Sequence, residues 1–167
     1  MQSNTSAMPG TGKYSQLWWI PCGWGEEDVR MIIFDKDAIV KKYLGIPYKN
    51  HGRDLAGLDC WGLVLAIYKD YGIELFDLEN YDQEWARRGG NLILDNYYEN
   101  WKKVIQYQAG DLMFIRYPKD VVSHTGIYLD RGLFLHATRN GVVVSRVNEW
   151  KDRIHGFYRW TAIKESK

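Results

Sequence analysis

At Asp111 the rhythm of the chain changes, and that change limits the fold more than any other feature. Residues 111–117, 124–130, 133–137, 141–147 and 156–160 are short runs rich in aromatic and β-branched side chains. Turn formers separate them, among them Asp130-Arg131-Gly132 and Arg139-Asn140-Gly141. Such runs predict an antiparallel meander of about five strands. Upstream the period is helical. Between Asp35 and Leu44, Ile39, Val40, Tyr43 and Leu44 share one face, with Lys41 and Lys42 opposite, as in an amphipathic helix. Gly45 stops it and Pro47 forbids its resumption. Residues 45–58 then read as a loop rich in Gly, Pro, Asn and His. Residues 60–71 predict a second helix, apolar on most sides and so central, closed by Gly72. Residues 80–104 are helical in tendency, broken at Gly89-Gly90 and studded with Trp85, Tyr97, Tyr98 and Trp101. Helices first and a sheet after define an α+β domain, with N-terminal helices packed on the antiparallel sheet.

Bulk properties narrow the function. A chain of 167 residues holds one domain with a real core. Lys plus Arg is 22 against 21 acidic residues, so no global field steers it to nucleic acid or to a membrane surface. Aromatics make up 15%, with 8 Trp and 12 Tyr. A domain this size exposes some of them, as sugar-, peptide- and partner-binding surfaces do. No stretch has the length of a membrane span, and no membrane insertion is expected. Residues 1–16 are polar and lack the layout of a signal peptide. They are expected to form a flexible lead-in, residues 17–34 an aromatic arm against the domain or a partner, and residues 35–167 the domain itself. Synthesis in a reducing cytoplasm follows from this reading.

Chemistry concentrates at Asp59-Cys60-Trp61-Gly62. Asp59 is a good N-cap for the second helix, which puts Cys60 at its first position. There the free N–H groups and the positive end of the helix dipole favour a thiolate, the nucleophilic form. Gly62 lets another backbone or a substrate come close. A bridge to the second cysteine, Cys22, stays open at this level, and it would silence Cys60. The histidines are His51, His124, His136 and His155; their spacing offers no metal site, and no cofactor is implied. His124 and His136 lie on consecutive strands of a hairpin, which makes them neighbours across the ladder. One ring can take the thiol proton while the other fixes its tautomer. His51 reads as an exposed loop residue, and His155 is given no role.

Taken together, Tyr48, Asp59-Cys60-Trp61-Gly62-Leu63-Val64, Gly110-Asp111-Leu112-Met113-Phe114, Ser123-His124-Thr125-Gly126-Ile127-Tyr128-Leu129 and Phe134-Leu135-His136-Ala137 resemble the NlpC family of cell-wall cysteine peptidases. The resemblance spans roughly residues 35–160. It implies a papain-like α+β fold and hydrolysis of peptidoglycan stem peptides between D-γ-glutamate and diaminopimelate or lysine. By position it makes Cys60 the nucleophile, His124 the general base and His136 the orienting residue. Tyr48 matches the tyrosine whose hydroxyl reaches the site, and Asp59 the acidic residue that in some members meets a substrate amine. Trp61 stands where the family usually has Ser, and Asn50-His51-Gly52 where it has a Gly-Gly pair, so the substrate side differs. The Cys-Trp-Gly variant and residues 150–159 resemble members found in tailed bacteriophages. That likeness implies a place in the virion tail, other tail proteins as partners, and action on bacterial peptidoglycan at the cell wall or periplasm. Two other readings stand beside it: a tail assembly or structural protein on a peptidase-like scaffold, and a related thiol amidase or acyl transferase.

Overall fold

A computed structural model describes residues 32–77, 81–82, 85–90, 92–95, 100–117 and 120–161. The expected lead-in and most of the aromatic arm, Cys22 included, lie outside the described residues. Helix α1 (Lys36–Tyr43) starts where Asp35 accepts from the backbone N–H groups of Asp37 and Ala38. It ends at Leu44, before Gly45 turns into the left-handed region at φ 82°. Ile39 and Tyr43 enter the core, whereas Leu44, expected on that face, is the C-cap and is exposed. The expected 45–58 loop contains a minimal hairpin of β1 (Arg53–Asp54) and β2 (Gly57–Leu58). Helix α2 (Cys60–Asp70) follows, and Leu63, Val64, Ile67 and Tyr68 are fully buried along it. A short helix α3 spans Leu92–Asp95.

Among the described residues the main sheet has six antiparallel strands in the order β3-β8-β4-β5-β6-β7. These are β3 (Trp101–Val104), β4 (Leu112–Arg116), β5 (Val122–Asp130), β6 (Leu133–Thr138), β7 (Gly141–Arg146) and β8 (Ile154–Trp160). The run β4 to β7 is the expected meander. β8 departs from it: after helix α4 (Val147–Trp150) and a single 3-10 turn (Lys151–Arg153) the chain crosses back to pair with β4. The sixth strand corrects the helical reading of residues 101–104. Trp101 pairs with Trp160, and its ring lies 5.2 Å from those of Tyr68 and Trp160. Cross-strand packing of a buried indole outweighs a weak local preference.

Side-chain alternation gives the sheet two different faces. Thr125, Ile127, Leu129, Leu135 and Ala137 share the face of Leu112 and Phe114, and the apolar members of that set form the main core with α2. Met113, Ile115, Tyr128 and Phe134 form a smaller cluster on the other face, covered by Val147, Trp150, Ile154 and Phe157. One irregularity matters for the site. Ile115 pairs with His124 but Arg116 pairs with Val122, so Ser123 is an extra residue in β5. Such a bulge re-aims the side chains beside it. Among the described residues no helix is long and apolar enough to cross a membrane.

Candidate active site

Asp59 anchors the start of α2. Its Oδ1 accepts from the Gly62 backbone N–H at 2.6 Å, as the sequence predicts for an N-cap. Sequence reasoning did not anticipate its other partners. Arg53 Nη1 donates to the same oxygen at 2.9 Å, and the Tyr81 hydroxyl donates to Oδ2 at 3.0 Å. Arg53 also grips Asp77 through Nε at 2.7 Å and Nη2 at 3.0 Å. The carboxylate is 2% exposed, and both its oxygens are engaged. Gly62 has the predicted purpose: a Cβ there would run into the Gly52 carbonyl oxygen and crowd Arg53 and Asp59. A Cβ on Gly52 would in turn meet the Gly57 carbonyl. Three stretches of bare main chain are stacked beside the helix start.

Cys60 is a free, half-buried thiol. Its Sγ lies 4.0 Å from the Ser123 carbonyl oxygen, and its own carbonyl accepts from Thr125 Oγ1 at 2.9 Å. Ser123 and Thr125 flank His124, so the helix start is pinned to the strand segment that carries this imidazole. The bulged Ser123 is held by its hydroxyl bond to the Tyr117 carbonyl. The thiol's contact is with a carbonyl rather than a ring nitrogen. The expected preference for a thiolate is not met either. Burial, and then the Asp59 carboxylate, push the thiol up to about 11, against hydrogen bonds from Thr125 and the Trp61 backbone that act the other way.

The two imidazoles meet as predicted. His124 Nε2 lies 2.8 Å from His136 Nδ1. The far nitrogen of His136, Nε2, lies 2.9 Å from Ser145 Oγ. His136 is fully buried between Phe134, at 4.6 Å between ring centres, and Trp150, at 4.9 Å edge-on. The same Trp150 lies nearly parallel to His124 at 6.1 Å. Burial, joined by the charge of His136, pushes His124 down to about 3. Burial pushes His136 down to about 4. At neutral pH both rings are therefore uncharged.

Tyr48 is partly exposed at the edge of this group. Burial, Cys60 and Asp59 raise its pKa while Arg139 lowers it, which puts its hydroxyl within electrostatic reach of all three. Trp61 packs against the main core, with its indole N–H buried and unpartnered among the described residues. The His51 ring packs tilted against that of Tyr81, 4.3 Å between centres, next to the Asp59 network. His155 sits apart, 3.3 Å from Arg116. Among the described residues no three His, Cys, Asp or Glu side chains converge as a metal site.

The model of the NlpC/P60 family matches residues 45–159, more than half of the chain. The chain belongs to the NlpC/P60 family. Murein DD-endopeptidase MepS/Murein LD-carboxypeptidase of Escherichia coli (strain K12) is 32% identical over 130 residues, 75% of this chain and 60% of that protein. Tail tip assembly protein K of Escherichia phage lambda is 26% identical over 155 residues, 89% of this chain and 70% of that protein. The solved NlpC/p60 domain of peptidoglycan hydrolase SagA matches with a TM-score of 0.52 and 25% identity, over 75% of this chain and 99% of that one. This NlpC/P60 chain spans less than two thirds of the length of the first bacterial relatives it matches. The expected α+β architecture is that of the family.

Proposed function

We propose that this NlpC/P60 domain, residues 35–167, is a cysteine endopeptidase that cleaves peptidoglycan stem peptides between D-γ-glutamate and diaminopimelate or lysine. One observation carries the reading. His124, in 2.8 Å contact with His136 of β6, hangs from the very β5 segment whose flanking residues Ser123 and Thr125 touch Cys60. In this reading Cys60 is the nucleophile, His124 the base and His136 the orienting group. The neutral rings and the high thiol pKa favour a resting thiol, with proton transfer coupled to attack. His124 Nδ1 takes the Sγ proton as sulfur adds to the scissile carbonyl carbon. The Cys60 backbone N–H at the start of α2 faces the resulting oxyanion, and the Tyr48 hydroxyl assists. The carbon–nitrogen bond then breaks as His124 returns the proton to the leaving amine. Water, deprotonated by His124, hydrolyses the thioester and releases the thiol. Tyr48 and Trp61 border the substrate side, while Asp59, buried with both oxygens engaged, holds the start of α2 through Gly62, Arg53 and Tyr81.

Mass spectrometry of digested muropeptides tests bond and substrate together. New γ-D-glutamyl carboxyl and diaminopimelate or lysine amino termini are expected, lost in Cys60→Ala and His124→Ala with the fold intact. Cleavage that survives Cys60→Ala overturns the proposal. Termini at the sugar–peptide junction, or an added acyl mass, assign an amidase or an acyl transferase instead.

Likeness to the lambda tail tip assembly protein over 89% of this chain favours a second element of the reading. The domain is then a component of a phage tail tip, opening the wall on entry or supporting assembly. Mixing the purified protein with neighbouring tail proteins tests this, and the absence of a stable complex counts against it.

A further inference from the structure

We propose that Ser145 is a positioning residue that, acting through His136, leaves His124 Nδ1 with a lone pair to offer Cys60. The inference rests on the peptidase reading above. Ser145 lies opposite Phe134 in the β6–β7 ladder, and Val143 lies opposite His136. Ser145 and His136 are thus diagonal neighbours on one face, and the 2.9 Å contact of Oγ with Nε2 closes that diagonal. The line Ser145 Oγ, His136 Nε2, His136 Nδ1, His124 Nε2 is continuous, its two contacts 2.9 and 2.8 Å long.

A neutral imidazole carries one N–H and one lone pair. Only two proton arrangements satisfy both contacts. In the first, His124 Nε2–H donates to His136 Nδ1, His136 Nε2–H donates to Ser145 Oγ, and His124 Nδ1 keeps its lone pair. In the second, the Ser145 hydroxyl donates to His136 Nε2, His136 Nδ1–H donates to His124 Nε2, and His124 Nδ1 carries the proton. A base is available to the thiol in the first arrangement alone. The two differ at their far end only in whether the Ser145 oxygen accepts or donates. Without that oxygen His136 Nε2 is unpaired in either arrangement, and a buried N–H with no acceptor is harder to accommodate than a bare lone pair. The proton moves to Nδ1, and His124 is driven into the inactive tautomer.

Long-range proton–nitrogen NMR on histidine-labelled protein reads the tautomers without any substrate. Wild type is expected to show both rings as Nε2–H, and Ser145→Ala to show both as Nδ1–H. On muropeptides Ser145→Ala lowers kcat on the order of ten- to a hundred-fold with KM unchanged, and Ser145→Thr, which keeps the oxygen on a strand, restores both kcat and tautomer. Unchanged tautomers in Ser145→Ala overturn the inference, as does a wild-type His136 found as Nδ1–H, a result that needs no variant to fold. A wild type with the expected tautomers and no cleavage of muropeptides refutes the peptidase reading and leaves the tautomer control by Ser145 standing.

Discussion

His124 and His136, 2.8 Å apart, lie on the sheet face turned away from helix α2, whose first residue is Cys60. Cys60 and the two imidazoles therefore belong to different layers, and the thiol touches the strand that carries His124 at the Ser123 carbonyl, in the bulged start of β5. Trp150 seals the imidazole layer. That seal keeps the rings neutral and has measurable consequences.

The rings make the fold sensitive to mild acid. Their folded pKa values, about 3 and about 4, lie below the ordinary 6.5. As pH falls below 6.5 the unfolded chain binds two protons that the native state refuses. Their stabilisation is complete above pH 6.5 and is lost as pH drops towards 4, with a slope approaching about 1.4 kcal/mol per pH unit for each ring. Urea midpoints between pH 7 and 4.5 measure it. His136→Gln should give a shallower slope; an unaltered slope contradicts the assignment.

Iodoacetamide should modify Cys60 slowly at neutral pH, with a rate that climbs through pH 9 towards a midpoint near the thiol's pKa of about 11. A preformed thiolate gives a plateau already at pH 7, and that result would rule out the neutral resting state.

Asp59→Asn separates cap from charge. Asn caps as well as Asp, so α2 keeps its start, while the carboxylate that raises the thiol pKa is gone. The alkylation midpoint moves down. Arg53 retains Asp77, which limits the stability loss to about 1 kcal/mol. Asp59→Ala adds the cost of the cap, about 1 kcal/mol more. A midpoint unmoved by Asp59→Asn shows that burial alone holds the thiol up.

Gly62→Ala should destabilise by about 2 kcal/mol or more, although alanine is the better helix former by about 1 kcal/mol. The added carbon has to displace the Gly52 carbonyl and with it Arg53. Denaturant unfolding decides; a variant as stable as wild type removes the argument for close backbone approach.

Local rules carried the sequence reading a long way. The N-cap at Asp59, both long helices, the strands from residue 112 onward and the pairing of His124 with His136 follow from capping, periodicity and hairpin turns. β3 escaped because its reason for being a strand is Trp160, far along the chain. The network of Arg53, Asp77 and Tyr81 around Asp59 escaped because the loop that folds back has no periodicity to read. Ser145 was within reach. Once the Arg139-Asn140-Gly141 turn sets the β6–β7 register, a hydroxyl two residues beyond the partner of His136 faces the same way. The thiol's acidity was misjudged because the helix dipole was weighed without the adjoining carboxylate and the burial that oppose it.

Gly52 and Gly62 press main chain on main chain beside the start of α2, Gly52 against the Gly57 carbonyl and Gly62 against the Gly52 carbonyl. At those two contacts there is no side chain to trim, and none can be added without displacing a carbonyl. Growth at Gly52 and Gly62 is closed unless the loop moves, whereas Tyr48 and His51 in the same loop carry side chains that can be exchanged without moving it.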